Sequence, residues 1–158
     1  MLLGKKRKLG RKVEEMSVGE KLKLTEKIED KDLLLYLGLT NDGNPLYIQH
    51  DFASQTVYEK PIVPAVMLTG IVTSAVSKYL PGPGSHIVDQ QLSFPKPVYH
   101  YATIDFLLQV VSVNVEKNLV EIEVNATNED GETVIVGKIT STPPRLENKL
   151  TSQAMDNF

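Results

Sequence analysis

Val66-Met67-Leu68-Thr69-Gly70-Ile71-Val72-Thr73-Ser74-Ala75-Val76-Ser77-Lys78-Tyr79-Leu80 is the one long helical stretch of this chain, and Pro81-Gly82-Pro83-Gly84 stops it. Val66, Leu68, Ile71, Val72, Ala75, Val76 and Leu80 spread apolar surface around most of its girth, with Thr69, Gly70, Thr73, Ser74 and Ser77 between them. A helix that is apolar or small all round belongs inside a protein. Its small residues let another element come close. Something must therefore wrap this helix, and the sequence beyond it supplies strands.

Ile87 to Phe94, Thr103 to Val115, Leu119 to Asn128 and Thr133 to Ser141 read as strands. In the third of these, Val120, Ile122, Val124 and Ala126 alternate with Glu121, Glu123 and Asn125, a period of two. Lys117-Asn118 and Asp130-Gly131 are hairpin turn signals. Before the long helix, Val18 to Ile28 alternates as a half-buried strand. Glu29-Asp30-Lys31-Asp32 then opens an amphipathic helix over Leu33 to Leu39, with acids in the first turn where the helix dipole favours them. A further short helix is expected around Asp51 to Gln55. The order predicts an α+β fold: an antiparallel meander wrapped around one long buried helix. One strand layer cannot cover that helix and also hide its own edges, so pairing with a second chain is expected.

The chain has 158 residues, 41% hydrophobic and 23% charged, the size of one ordinary domain. It has no cysteine, which leaves no disulfide framework and no thiolate metal site and fits a reducing, cytoplasmic setting. Its apolar runs fall far short of the ~20 residues that span a bilayer. Lys5, Lys6, Arg7, Lys8, Arg11 and Lys12 make the start basic against a net charge of -3. With no interleaved aromatics and no nucleic-acid motif, residues 1–16 read as a basic flexible arm rather than as a contact for nucleic acid or membrane. Residues 17–141 read as the domain and 142–158 as a loose C-terminal tail.

Two further stretches carry the candidate chemistry. They are Thr40-Asn41-Asp42-Gly43-Asn44-Pro45-Leu46-Tyr47 and Lys60-Pro61-Ile62-Val63-Pro64-Ala65-Val66-Met67. Asp42-Gly43-Asn44-Pro45, followed by Phe52-Ala53, Pro61-Ile62-Val63-Pro64-Ala65-Val66, Leu80-Pro81-Gly82 and Phe94-Pro95-Lys96-Pro97-Val98, resembles in order and spacing the MaoC-like hydratases and dehydratases. The resemblance spans residues 17–141 and implies the hot-dog fold. It also implies an acyl-CoA or acyl-carrier thioester as substrate, no cofactor, and a homodimer or higher homo-oligomer. In that family an aspartate and a histidine act on one water as general base and acid. Amides at the start of the central helix polarise the thioester carbonyl, and the acyl chain lies in a tunnel along that helix.

Carried over, Asp42 takes the aspartate's place, Asn44 that of the loop asparagine, and Tyr47 that of the histidine. Pro64 and Ala65 replace a His-Gly pair at the helix entrance, with Val66 following. Asp42 and Tyr47 are the catalytic candidates. Asn44, Pro64, Ala65 and Val66 are the substrate-binding ones. A phenol with an ordinary pKa of about 10 is a poor base at neutral pH. Three readings therefore stay open: a hydro-lyase with a variant dyad, a hot-dog protein that binds or senses acyl-CoA without turnover, and a thioesterase. Asp42 also reads as a turn residue, and Tyr47 as a packing residue. His50 is a candidate replacement base. His86 and His100 read as loop and strand-end residues near the surface. Tyr99 and Tyr101 read as strand-edge packing or an aromatic interface. Lys60, Lys78 and Lys96 are candidate phosphate contacts or merely solvated. No histidine has metal-ligand spacing.

Overall fold

The computed structural model describes residues 9–146. A 3-10 turn at Val13–Glu15 precedes β1 (Lys21–Lys27) and α1 (Asp30–Thr40). Two four-residue helices follow, α2 (Pro45–Ile48) and α3 (His50–Ala53), and then the long α4 (Ala65–Tyr79). The rest is strand: β2 (His86–Ser93), β3 (Thr103–Asn114), β4 (Leu119–Thr127) and β5 (Thr133–Thr142). The five strands form one sheet in the order β1-β3-β4-β5-β2, antiparallel throughout.

The alternation seen in the sequence sets which face is buried. Ile104, Phe106, Leu108 and Val110 of β3, and Val120, Ile122, Val124 and Ala126 of β4, are buried in one row each. They pack with Leu68, Val72, Ala75 and Val76 of α4 in one core. The ladder slips at Ile87/Asp89, Val110/Ser112 and Ala126/Thr127. Such slips bend a strand and increase its twist, which suits a sheet curled around a helix. This is the expected α+β hot-dog arrangement.

Several expectations are corrected. The four later strands are not one meander. Only β3, β4 and β5 follow hairpin order, while β2 crosses to the far side of β5 and becomes an edge. Helix α4 is not buried all round. Its 68/72/75/76 stripe is inside, whereas Val66 is 57% and Tyr79 59% exposed. A single curved sheet can cover only one side of a helix. Helix α1 is barely amphipathic: Leu33 is buried, but Leu34, Leu35 and Leu39 are all exposed. The loop before Pro45 gives way to α2 and α3 where one short helix was expected.

The flexible arm over 1–16 is also corrected within the described residues. Val13 and Met16 belong to the core. Gly10 and Arg11 donate backbone hydrogen bonds to Pro83 and Pro81 at 2.8 and 3.0 Å. The tail reading fails at Pro143 and Pro144, both buried. Residues 1–8 and 147–158 lie outside the described residues. Among the described residues no helix is long and apolar enough to cross a membrane.

Candidate active site

The loop after α1 is shaped by its own side chains. Asn41 caps α1 in the left-handed conformation (φ 55°, ψ 32°), and its amide donates to the Leu37 carbonyl at 2.8 Å. Asparagine tolerates that conformation better than most residues. The reversal folds Asp42 back over the last turn of α1. There the Tyr36 hydroxyl donates to Asp42 Oδ2 at 2.6 Å. The Asn44 amide donates to Asp42 Oδ1 at 3.0 Å, closing an Asx turn. Asn44 in turn caps α2, its Oδ1 accepting from the Leu46 amide at 3.0 Å, with Pro45 at the first helical position.

Electrostatics follow from these bonds. The Tyr36 phenol, and after it the Asn44 amide, hold the Asp42 carboxyl below the usual carboxylate range. The same bond pushes the Tyr36 phenol up, because it donates to an anion, and the nearby Tyr47 phenol adds to that. Asp42 is thus a persistent carboxylate with both oxygens engaged. The Tyr47 hydroxyl bonds none of the described residues. Asp42 and Tyr47 do not bond each other directly; the side chain that bonds Asp42 is Tyr36, a residue the sequence reading missed. The available signal was Tyr36 lying six residues before Asp42 across a Thr-Asn turn.

The helix entrance sits beside this loop. The Ile62 amide donates to the Leu46 carbonyl at 3.1 Å, and the Val63 amide to the Val98 carbonyl at 2.7 Å. Pro64 is the N-cap of α4 and offers no side-chain cap. The Ala65 and Val66 amides stand in the first turn, ahead of any intrahelical acceptor. The first turn of α4 therefore presents free N–H groups at its positive end.

A groove of about 420 Å³ runs along α4 between β1 and α1, lined by Leu24, Leu35, Met67, Gly70, Ile71 and Tyr79 among others. None of Asp42, Asn44, Tyr47 or Ala65 lines it.

The other candidates are occupied elsewhere. The Tyr99 hydroxyl donates to the Tyr58 carbonyl at 2.8 Å, with Lys60 Nζ 4.9 Å from its ring centroid. The Tyr101 hydroxyl donates to Asp30 Oδ2 at 2.6 Å. Lys96 lies 3.7 Å from Glu132. His100 is not a surface residue, as expected, but largely enclosed, and neither ring nitrogen has a hydrogen-bond partner among the described residues. Burial lowers its pKa, opposed by Asp30, whose Oδ1 lies 3.9 Å from Nδ1. His50 bears on His100, lowering its pKa further, and bonds no part of Asp42. Among the described residues no group of three or more His, Cys, Asp or Glu could hold a metal ion.

Known proteins share this architecture. The chain is 30% identical over 131 residues to an (R)-specific enoyl-CoA hydratase of Rhodospirillum rubrum, covering 83% of this chain and 90% of the relative. It is 29% identical over 133 residues to a mitochondrial 3-hydroxyacyl-[acyl-carrier-protein] dehydratase of Solanum lycopersicum, covering 83% and 79%. The solved R-hydratase PhaJ1 of Pseudomonas aeruginosa superposes with a TM-score of 0.79 at 26% identity, covering 87% of this chain and 88% of that one. The MaoC like domain family matches residues 12–132. That match, with the 30% identity to the hydratase relative, shows that the chain belongs to the MaoC-like domain family.

Proposed function

We propose that this chain is a hydro-lyase that adds water to a 2-enoyl thioester, or removes it from a 3-hydroxyacyl thioester. Asp42 is its water-activating carboxylate. The carrying observation is that the Asp42 loop is tied to the entrance of α4 through the Leu46–Ile62 hydrogen bond. In the hydration direction, Asp42 takes a proton from water as its oxygen bonds the β-carbon. The π electrons move onto the thioester carbonyl, whose oxygen the Ala65 and Val66 amides receive. The proton is then returned to the α-carbon. Tyr47 acts as a hydrogen-bonding wall of the pocket, and Asn44 and Pro64 shape it. The thioester is borne by coenzyme A or a carrier protein, and the working unit is a homodimer or higher homo-oligomer. The open outer face of α4 and the unpaired β2 edge support that assembly.

One observation favours a second reading, a protein that binds the acyl thioester without turnover. Asp42 is held ionised, and a carboxylate with a lowered pKa is a weak base. The assay is loss of enoyl absorbance with crotonyl-CoA and longer enoyl-CoAs. Hydration that falls by 10²-fold or more in Asp42→Asn supports the enzyme, in line with the usual worth of general acid–base catalysis of ~10²–10⁴. A thermal shift with enoyl-CoA and no hydration at any chain length supports the binder and ends the first reading.

A further inference from the structure

We propose that Tyr36, rather than Tyr47, is the partner that positions Asp42, so that the working pair of this chain is built across the C-terminal end of α1. The inference rests on the hydro-lyase reading for its catalytic meaning, while the pairing itself stands on geometry.

Three observations carry it. The Tyr36 hydroxyl reaches Asp42 Oδ2 at 2.6 Å, within the range of a strong charge-assisted bond. The Asn44 amide meets Oδ1 at 3.0 Å, so the carboxylate is held at two points, which restrains its terminal torsion. The left-handed cap at Asn41, reinforced by the Thr40 hydroxyl donating to the Tyr36 carbonyl at 2.8 Å, holds donor and acceptor together. Tyr47 offers none of this: its side chain stays half-buried and its hydroxyl bonds no described residue.

The arrangement has a chemical consequence. An anion at the C-terminal end of a helix faces the negative end of the dipole, which by itself makes a carboxylate easier to protonate. The Tyr36 bond opposes that effect. It also keeps the proton on the phenol, so Tyr36 is a donor that aims the carboxylate and not a second base. With one lone pair of each oxygen taken, the water must be met by those that remain.

The test compares Tyr36→Phe and Tyr47→Phe in the full chain. Asp42 side-chain titration is followed by carboxyl-carbon NMR, alongside crotonyl-CoA hydration across pH. Far-UV circular dichroism checks that each variant is folded. Tyr36→Phe is expected to move the Asp42 midpoint upward, carry the acid limb of the rate profile with it, and lower kcat about tenfold with KM within about twofold. A fall in kcat despite greater basicity is what a positioning role requires. Tyr47→Phe is expected to leave the Asp42 midpoint in place. If Tyr36→Phe leaves that midpoint unmoved, or Tyr47→Phe moves it instead, the proposal is overturned. If the midpoint moves as expected but the wild-type protein hydrates no enoyl-CoA, the pairing stands and the hydro-lyase reading fails.

Discussion

Gly137 fixes how closely β2 can lie on β5. It stands in β5 between Val124 of β4 and Leu92 of β2. A Cβ placed there would lie 2.0 Å from the Gln91 carbonyl oxygen and 2.9 Å from both Gln91 C and Leu92 Cα. All three are backbone atoms, so no side chain can swing aside. Real Cβ contacts essentially never fall below 3.0 Å, so in Gly137→Ala β2 must retreat by about 1 Å at this point. Overpacking of this kind costs ~1–3 kcal/mol, and each ladder hydrogen bond stretched past its useful range adds ~1 kcal/mol. A total of ~2–4 kcal/mol in a chain of this size lowers Tm by roughly 6–12 °C. Scanning calorimetry of the two proteins in the same buffer measures it. Gly131→Ala is the control. That glycine sits at φ +76° with nothing within 4 Å, so its cost is the left-handed backbone alone, ~1–2 kcal/mol. Should Gly137→Ala melt within about 1 °C of the wild type, the steric argument is wrong.

Other expectations follow from the same coordinates. Burial lowers the His100 pKa, so between its folded value and the ordinary ~6.5 the unfolded chain binds more protons. Stability should therefore fall as pH drops below ~6.5, and a Tm-versus-pH series should show a flatter acid limb in His100→Phe; an unchanged slope would refute this. Asp30 from α1, His50 from α3 and the carbonyls of Tyr47 and Ile62 are the groups that act on the ring. Gly38→Ala inside α1, where nothing lies within 4 Å, should raise stability by ~0.5–1 kcal/mol in denaturant titration, and a loss would show that something unseen packs there. Gly10→Ala would set a Cβ 2.7–2.8 Å from backbone atoms of Pro81, Gly82 and Pro83. It should lift residues 9–11 off that turn, detectable as faster amide exchange at Gly10 and Arg11.

Much of the fold was legible because it rests on local pattern. The alternation in β4 set its inward row, and turns at Asn118 (φ 52°) and Gly131 (φ 76°) stand where the sequence signalled them. The placement of β2 was not legible, because its partner β5 lies some forty residues on and no local pattern encodes that pairing. Nor was the exposed side of α4, since apolar composition does not say how many chains share a surface. At the site, the Asx turn and the α2 cap could be read from Asp-Gly-Asn-Pro. The Tyr36 bond had only the six-residue spacing across Thr-Asn as its signal, and it forms only because Asn41 adopts a left-handed backbone. His100 was misplaced for a similar reason: its enclosure comes from α1, α3 and the Ile62 segment converging, not from its neighbours in sequence.

The two ends of the described chain meet at one place. Leu9 and Pro144 both lie against Gly84, just past the end of α4, and the Asn118 side chain donates to the Pro143 carbonyl at 3.0 Å. A domain whose ends adjoin can be reconnected. A short flexible linker from residue 146 to residue 9 would close the chain into a ring without crossing the sheet. New ends opened at the exposed Glu129–Gly131 turn would then give a circular permutant with every strand pairing retained.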